Sequence, residues 1–380
     1  MSSKNNSQVI SKASPHTVKK FELIETYIKS WAQKLMLNTA CSGIVFIDCM
    51  CNSGVYRSTL DDTIVEGTPV RVAKALLDVA HTYDHKTVEI YFNDNSAEKI
   101  NELKKRLPDD ERNFKIVSTV QDGNQLLKVI GPQLKQNSCK HFFLLYDPYD
   151  ASIDWDALAP FFKSWGEVLL NHMVFDPARA ITQVKRAETK EKYEHTYFED
   201  FENLIPFGSD KSAYEKRVEE IIAKLKGNRQ YYVSAFPFFN SQNSLVYNLI
   251  HCTSNEAGFS LYKQSAWKVF GGQSSTKHLR TNQDQLVMDF GMPSTGSVSF
   301  ATDESCYTVR DIAKYLCRTF SGCQDIRLDD LWKVLEKHPI FPSEGFRNEI
   351  KAELKNLYGV TQNVERNPIS GKREYLFSFR

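Results

Sequence analysis

The chain has 380 residues, of which 41% are hydrophobic and 12% aromatic, enough to bury the cores of two domains. Its 48 basic and 47 acidic residues nearly cancel, so no overall field draws the molecule onto nucleic acid or an anionic membrane, and any such contact must be local. The polar N-terminal segment lacks the apolar core of a signal peptide and no apolar run is long enough to span a bilayer, so we expect a cytoplasmic protein with no membrane partner.

Strand and helix patterns alternate along the first two thirds of the chain. Residues 1–15 are polar and predict a disordered tail, and apolar residues at helical spacing then predict a helix over 17–37. This alternation favours a right-handed parallel sheet in an α/β fold, with the last two strands forming an edge hairpin. The predicted strands are 44–48, 88–94, 114–118, 141–147, 167–173, 230–236 and 245–253, with helices at 69–83 and 97–107.

Two segments interrupt the alternation. Residues 185–227 are highly charged with helical periodicity, and they predict an inserted helical pair that is either a solvated cap or a lid or partner surface. Residues 273–303 are rich in Ser, Thr, Gly, Asn and Gln, which predicts a linker. The expected domains are therefore 16–272, which contains the helical insert, and 304–380.

The C-terminal segment has a different pattern, with three short helices at 308–319, 328–337 and 344–357. A hairpin is predicted to follow, with strands at 359–364 and 373–379. This order indicates a winged-helix-like α+β domain, which either binds nucleic acid or serves as a dimerisation or docking module. The candidate phosphate contacts are Lys351, Lys355, Arg366, Lys372 and Arg373.

Acids follow four of the predicted strands, in the order Asp48, Asp94, Asp122 and Asp147. Because the carboxyl ends of parallel strands meet at one edge of a sheet, we expect these acids to form one ligand site. S-adenosylmethionine needs separate acids for its ammonium, ribose and adenine groups. The first three acids match these needs in order, and Gly54 would allow close approach of the backbone. The alternative is that each acid caps a helix or faces solvent.

Other nucleotide and metal sites are disfavoured by their missing motifs. The loop CMCNSGVY contains only one glycine, which argues against the GxGxxG of a dinucleotide site, and no GxxxxGK[ST] occurs. Scattered acids could hold magnesium in a nuclease, but no PD-(D/E)xK spacing supports this. The eight cysteines lack paired CxxC spacing and predict small buried hydrophobes, with Cys49 and Cys51 as an alternative ligand pair or reactive thiol.

The sequence Asp147-Pro148-Tyr149 supplies the candidate catalytic residues. It is similar to the D/N-P-P-Y/F motif of amino-methyltransferases, although only one proline is present. By this resemblance, Asp147 would accept a hydrogen bond from a target amine, Pro148 would turn the chain and Tyr149 would stack on a flat substrate. Alignment of the nitrogen with the methyl donor would supply most of the catalysis. The alternative is a strand that simply ends in an Asp-Pro turn.

Longer segments together resemble the three-Cys-motif partner family (TcmP) over positions 16–380. They are HTVKKFELIETYIKSW, FIDCMCNSGVY, EGTPVRVAKALL, YDPYDASIDW and YNLIHCTSNEAGFSLYKQSAWK. The resemblance implies a Rossmann-like class I methyltransferase sheet, S-adenosylmethionine as cofactor and a radical-SAM-like partner protein with three cysteines.

The family pattern D-x-F-A-G-x-G corresponds to residues 48–54, with Asn52 in place of the first glycine. The family's G-S-P appears as residues 67–69, and its D-P-F/Y-G ends here in Asp150. Lys20, Lys263 and Trp267 also match family positions; an exposed helix lysine is the simplest interpretation of Lys263, and a core residue that of Trp267. The cofactor-binding residues expected on these grounds are Asp48, Cys49, Gly54, Thr68, Asp94, Asn95 and Asp122.

Two functions are consistent with these patterns. The first is an S-adenosylmethionine-dependent methyltransferase acting on an amine of a nucleobase or of a nucleic acid, either DNA or RNA. The second is a catalytically degenerate methyltransferase fold that binds nucleic acid or a partner protein, and the altered loop at 49–54 favours it.

Overall fold

The structure is a computed structural model. It describes residues 9–135, 139–148, 152–162, 165–173, 187–197, 221–223, 231–278, 305–366 and 373–379. The helices are α1 (Pro15–Leu37), α2 (Thr68–Thr82), α3 (Ala97–Lys104), α4 (Gly123–Lys135), α5 (Trp155–Leu158), α6 (Ala187–Tyr197), α7 (Glu256–Val269), α8 (Val309–Thr319), α9 (Leu328–Lys337) and α10 (Arg347–Tyr358). None of these described helices has the length and apolarity needed to cross a bilayer.

The strands form one large sheet and two small ones. They are β1 (Ser11–Ala13), β2 (Gly43–Asp48), β3 (Val55–Ser58), β4 (Ile64–Glu66), β5 (Thr87–Asp94), β6 (Phe114–Val120), β7 (Lys140–Tyr146), β8 (Gly166–Met173), β9 (Tyr232–Phe239), β10 (Leu245–Thr253), β11 (Ile326–Arg327), β12 (Thr361–Arg366) and β13 (Arg373–Ser378).

The large sheet has seven strands in the order β6-β5-β2-β7-β8-β10-β9. The first five are parallel, whereas β10 is antiparallel to both of its neighbours. From β2 the chain first adds β5 and β6 on one side, and it then returns to add β7 and β8 on the other. The winding therefore reverses between β2 and β7, which is where open α/β sheets bind ligands. The predicted mostly parallel sheet with an edge hairpin is confirmed.

The central strand β2 is buried along its whole length because helices cover both faces of the sheet. Successive side chains of a strand point to opposite faces. Ile44 and Phe46 accordingly pack into a core with residues of α1, α2 and α7, and Val45 and Ile47 pack into a second core with residues of α4 and α5. These two cores hold the carboxyl end of β2 rigidly in place.

The N-terminal segment differs from the prediction. Residues 11–13 belong to the predicted disordered tail at 1–15, but they form β1, which pairs with β3 in a small sheet completed by β4. Such short strands carry no hydrophobic period that would reveal them in the sequence. Helix α6 fits the predicted insert, but most of 185–227 and of the 273–303 linker lies outside the described residues.

The C-terminal segment contains α8, α9 and α10 with a three-stranded sheet in the order β11-β13-β12. A capping box between Thr308 and Asp311 begins α8, and Gly359, with φ 60°, ends α10. Buried side chains of all three helices belong to the same core as those of α1 and α7. The segment is therefore packed on the sheet domain.

Helix α7 anchors this segment through a lysine that the sequence predicted to be exposed. Lys263 is fully buried, and its ammonium donates to three main-chain carbonyls at 2.7 to 2.9 Å. These carbonyls lie at the C-terminal end of α9, where the helix dipole favours a cation. They belong to Leu335, Glu336 and His338. Trp267 is buried as predicted, and its indole N–H donates to the carbonyl of Ile340 at 2.9 Å.

We expect Lys263→Met to lower the free energy of unfolding by about 2–4 kcal/mol, because it leaves the carbonyls at the end of α9 buried and unpaired. Denaturant unfolding of the full chain measures this loss. The matched control is Lys268→Met, since Lys268 is exposed on the same helix. Equal free energies of unfolding for the two variants would contradict the anchoring role.

Candidate functional site

The structure brings three of the predicted acids to the carboxyl edge of the sheet. Asp48 and Asp94 end β2 and β5, and Asp147 follows the last residue of β7. The first two are 2% and 1% exposed, while about a quarter of the Asp147 side chain (26%) is exposed. The acids therefore flank the point where the winding of the sheet reverses, with Asp147 nearest to solvent.

Asp48 lies where a negative charge is disfavoured. The pKa of Asp48 is raised to about 8, mainly by burial and to a smaller extent by the neighbouring carboxylates of Asp147 and Asp94. The backbone amide of Met50, which donates to Oδ1 at 3.3 Å, and the ammonium of Lys20 act in the opposite direction. A cationic ligand group at this position would stabilise the charged carboxylate.

Asp94 fastens the loop that follows β2. Its Oδ2 accepts from the backbone N–H of Asn52 and its Oδ1 from that of Ser96, each at 3.0 Å. The ammonium of Lys99 lies 3.9 Å from Oδ2, and the Asp94 side chain is fully buried. Asp94 thus has a structural role here, and its predicted contact with a ribose stays a prediction.

Two residues of the loop at 49–54 have a left-handed backbone conformation. Asn52 has φ 59° and Gly54 has φ 71°, both in the left-handed region. Asparagine adopts this region more readily than most other residues with a side chain. A Cβ at Gly54 would lie 2.4 Å from Cδ1 of Leu103, so glycine is required there. Asn52 therefore provides a backbone conformation that glycine adopts without strain.

The two cysteines of this loop are core thiols. Both are buried, and burial raises the pKa of each thiol well above its ordinary value. The Cys49 thiol donates to the carbonyl of Leu145 at 3.7 Å, so only the main chain of Cys49 is left for a cofactor. In the part of the chain that the structure describes, no group of three or more His, Cys, Asp or Glu side chains is arranged to hold a metal.

Asn93 is a site residue that the sequence analysis missed. Its buried side-chain amide donates to the carbonyls of Cys49 and Gln121 at 3.0 Å, and its Oδ1 accepts from the Thr119 hydroxyl at 2.8 Å. It therefore joins the ends of β2, β5 and β6. An asparagine inside the otherwise strand-forming run VEIYFND is the signal that could have identified it.

The other predicted cofactor residues differ in exposure. Asp122 is exposed and accepts from the backbone N–H of Gln125 at 2.9 Å, which caps α4 as the capping alternative predicted. Thr68 is buried at the start of α2, and Asn95 is exposed after β5. Contacts of these three residues with a cofactor stay predictions.

Asp147 is held by donors on both of its oxygens. The ammonium of Lys20 donates to Oδ2 at 2.6 Å, and the amide of Asn171 donates to Oδ1 at 2.5 Å. Lys20 is 8% exposed and also lies over the ring of Tyr247, 5.2 Å from its centroid. Lys20 therefore orients the carboxylate of the Asp-Pro-Tyr sequence.

Asn171, on β8, also contributes an unsatisfied acceptor beside Asp147. Its Oδ1 is buried and has no hydrogen-bond partner among the described residues. Buried polar atoms are rarely left unpaired, so an N–H donor from a ligand would suit this position. Pro148 is buried, and Tyr149 lies outside the described residues, so its stacking role stays a prediction.

The chain matches no protein-family model, and no curated relative is found. Among solved structures it is similar to a protein of Legionella pneumophila, with 11% identity over 62% of this chain and 85% of that one and a TM-score of 0.37. It is also similar to the O-methyltransferase TomG of Streptomyces achromogenes, solved with S-adenosylmethionine, with 11% identity over 61% of this chain and 79% of that one and a TM-score of 0.30. Similarity at this level does not extend to individual site residues.

Asp48 predicts a specific dependence of stability on pH. Its folded pKa of about 8 lies above the ordinary value of 3.8, so the folded chain keeps a proton that the unfolded chain releases. The contribution of Asp48 to the free energy of unfolding should therefore decrease as the pH rises between these two values, by up to about 1.4 kcal/mol per pH unit. Asp48→Asn should remove this decrease.

Denaturant unfolding of wild type and Asp48→Asn at about pH 5 and pH 7.5 measures the effect, and the difference between the two proteins isolates Asp48 from other titrating groups. Asp84→Asn is the control, because Asp84 is exposed. A difference between wild type and Asp48→Asn that is the same at both pH values would show that Asp48 titrates normally.

Proposed function

We propose that this protein is an S-adenosylmethionine-dependent methyltransferase that modifies an amine of a nucleobase or nucleic acid. The observation that carries the proposal is the Asp147 carboxylate, oriented by Lys20 and Asn171 at the edge of the sheet where Asp48 and Asp94 also lie. This edge combines acids suited to a cationic cofactor with acceptors suited to an amine.

The residues at the edge fit S-adenosylmethionine in their charge. The cofactor carries a sulfonium and an ammonium group, and the crowding of Asp48 by Asp147 and Asp94 is relieved by a cation. By the family resemblance, Asp48 faces the ammonium, Asp94 the ribose and Asp122 the adenine amine. When bound, the cofactor supplies an electrophilic methyl group.

The acceptor amine would be positioned by hydrogen bonds at the end of β7. Asp147 accepts one N–H of the amine, and the unpaired Oδ1 of Asn171 accepts a second from the same group. These contacts would direct the nitrogen lone pair toward the methyl group that a bound cofactor would supply. The proton lost from nitrogen passes to Asp147 or to water. Tyr149 supplies the stacking surface that the motif implies.

A nucleic-acid substrate is supported by the C-terminal segment. Its order of α8, β11, α9, α10, β12 and β13 is that of a winged helix. Arg366 and Arg373 are directly opposite each other in the hairpin, and the next pair on the same face, Val364 and Tyr375, is 53% and 39% exposed. Two arginines beside an exposed aromatic ring suit a phosphate backbone and an unstacked base.

The remaining predicted contacts lie on or near the same elements. Lys355 is exposed on α10 and Lys351 is partly buried there, whereas Lys372 lies outside the described residues. Glu365 and Glu374 pair on the opposite face of the hairpin. The basic face that contains both arginines is therefore the face we assign to nucleic acid.

A degenerate fold that binds nucleic acid or a partner protein, such as the radical-SAM-like protein of the family, is the second candidate. The observation that favours it is Asp94, whose two oxygens already accept from loop amides. Calorimetric titration of the purified chain with S-adenosylmethionine and its demethylated product distinguishes the two candidates. An adaptor should show no heat of binding at millimolar ligand.

We expect Asp147→Ala to reduce methyl transfer by at least about 100-fold while S-adenosylmethionine still binds, because the variant loses the acceptor that orients the amine. Transfer is measured from radiolabelled cofactor to pooled RNA and DNA, and cofactor binding by calorimetry. Asp147→Asn is the control variant, because asparagine keeps the shape of the side chain and an oxygen that can still accept from Lys20. If Asp147→Ala also abolished cofactor binding, Asp147 would have a different role.

Arg373→Gln should weaken binding of a single-stranded oligonucleotide and lower the slope of its salt dependence by about 1, because one phosphate contact is lost. Fluorescence anisotropy at several salt concentrations measures both quantities. Arg318→Gln is the control, because Arg318 is exposed on α8 and is not part of the hairpin. Identical salt slopes for the two variants would exclude the basic hairpin face as a contact.

A further inference from the structure

A pocket separate from the candidate site lies one turn of α1 away from the Lys20–Asp147 pair. It is a cavity of about 370 Å³ beside the first turn of α1, bounded by the end of β9 and by the segment that follows α7. Phe239 and Phe270 form its apolar wall. Its titratable lining residues are His16, Lys19, Lys277 and His278.

All of these titratable residues are basic, and among the described residues no Asp or Glu lines the cavity. Lys19 contacts Glu22 at 2.7 Å on the outer surface of α1. Lys277 donates to the hydroxyl of Ser305 at 2.8 Å and lies over the ring of Phe239 at 5.3 Å, so its ammonium is positioned at the wall. The cavity therefore favours an anionic ligand.

The start of α1 adds to this preference. The first turn of α1 contains no acidic residue, so no carboxylate offsets the positive end of the helix dipole. Burial, with a smaller effect from Lys20, lowers the pKa of His16, and its ring nitrogens lie within 3.0 Å of the Ser14 hydroxyl. The amide of Gln273 already donates to the carbonyls of Ser275 and Lys277, so the further donors are the first backbone N–H groups of α1, which have no partner within the helix, and the Ser241 hydroxyl.

Tyr247 connects the cavity to the candidate site. Its hydroxyl donates to the carbonyl of His16 at 3.1 Å, and the two rings are 5.9 Å apart. The ammonium of Lys20 lies over the ring of Tyr247, 5.2 Å from its centroid, and donates to Asp147. His16 and Lys20 are separated by about 6 Å along the helix, so a group in the cavity lies within reach of a nucleotide adjacent to one at Asp147.

We propose that this cavity binds a phosphate group of a polynucleotide substrate, next to the base presented to Asp147. The proposal rests on the proposed function, because it names the substrate class of the same site. The two lysines and the N–H donors bind the phosphate, and the apolar wall contacts the adjoining sugar. The cavity would thus set the register of the strand relative to the candidate catalytic residues.

The test is the salt dependence of binding of a ten-residue single-stranded oligonucleotide to the full chain. Lys277→Gln and Lys19→Gln should each weaken binding about 3- to 10-fold and lower the salt slope by about 1. Lys29→Gln is the matched control, because Lys29 lies on the same helix, has nearly the same side-chain exposure as Lys19 (44% against 46%) and is likewise paired with an acid, but does not line the cavity. Lys19 is largely exposed, so Lys19→Gln gives a readout even if Lys277→Gln does not fold.

Competition identifies the ligand. AMP should displace the oligonucleotide at lower concentrations than adenosine does, and the cavity variants should remove this difference. Inorganic phosphate that competes as well as AMP would reduce the cavity to a general anion site and overturn the proposal. Unchanged salt slopes in both lysine variants would overturn it as well.

Titration with S-adenosylmethionine separates this proposal from the function on which it rests. If the cofactor does not bind but the lysine variants still change the salt slope, the methyltransferase proposal fails and the phosphate site stands. If the cofactor binds and the slopes are unchanged, only the phosphate site fails.

Discussion

Parallel pairing of β2 with both β5 and β7 is the constraint on which the rest of the structure depends. Asp48 is in register with Phe92 on β5 and with Leu145 on β7. Asp94 and Asp147 therefore each lie two residues further along their own segments than the level of Asp48. The end of β2 is therefore recessed between two longer neighbours. Three carboxylates converge on this recess, and the one at its base, Asp48, is shielded from solvent.

The protein resolves this crowding with several kinds of contact. Asp94 is satisfied by backbone amides, Asp147 by Lys20 and Asn171, and Asp48 keeps a raised pKa. Burying an isolated charge costs free energy. Asp48, which accepts from one backbone amide but has no ion pair, is therefore tolerated only if it holds a proton or meets a cation. The hydrogen bond from the Asn52 N–H to Asp94 also fixes the backbone of the loop at 49–54.

The strands and helices of the sheet could be predicted because each carries an apolar repeat that a local window reveals. The C-terminal helices were predicted for the same reason. Lys263 shows the limit, because a lysine in a helical window looks solvated until the end of a second helix is seen to lie against it. Lys20 and Asp147 are 127 residues apart, and no periodicity links them. Asn93 was missed because its partners lie at the ends of two other strands, β2 and β6, which are distant in the sequence.

Helix α1 is made well before several of its partners. Its contacts with Asp147 and Tyr247 span 127 and 231 residues, and the buried bond from Tyr27 to His251 spans 224. Contacts of such long sequence separation slow folding because the chain must be ordered before they form. While the ribosome is still translating the middle of the chain, α1 can already pack on β2 and α2, but the part of its face that contacts α7 and β10 still lacks its partners. The candidate site, which needs both Lys20 and the later strands, would therefore be among the last parts to assemble.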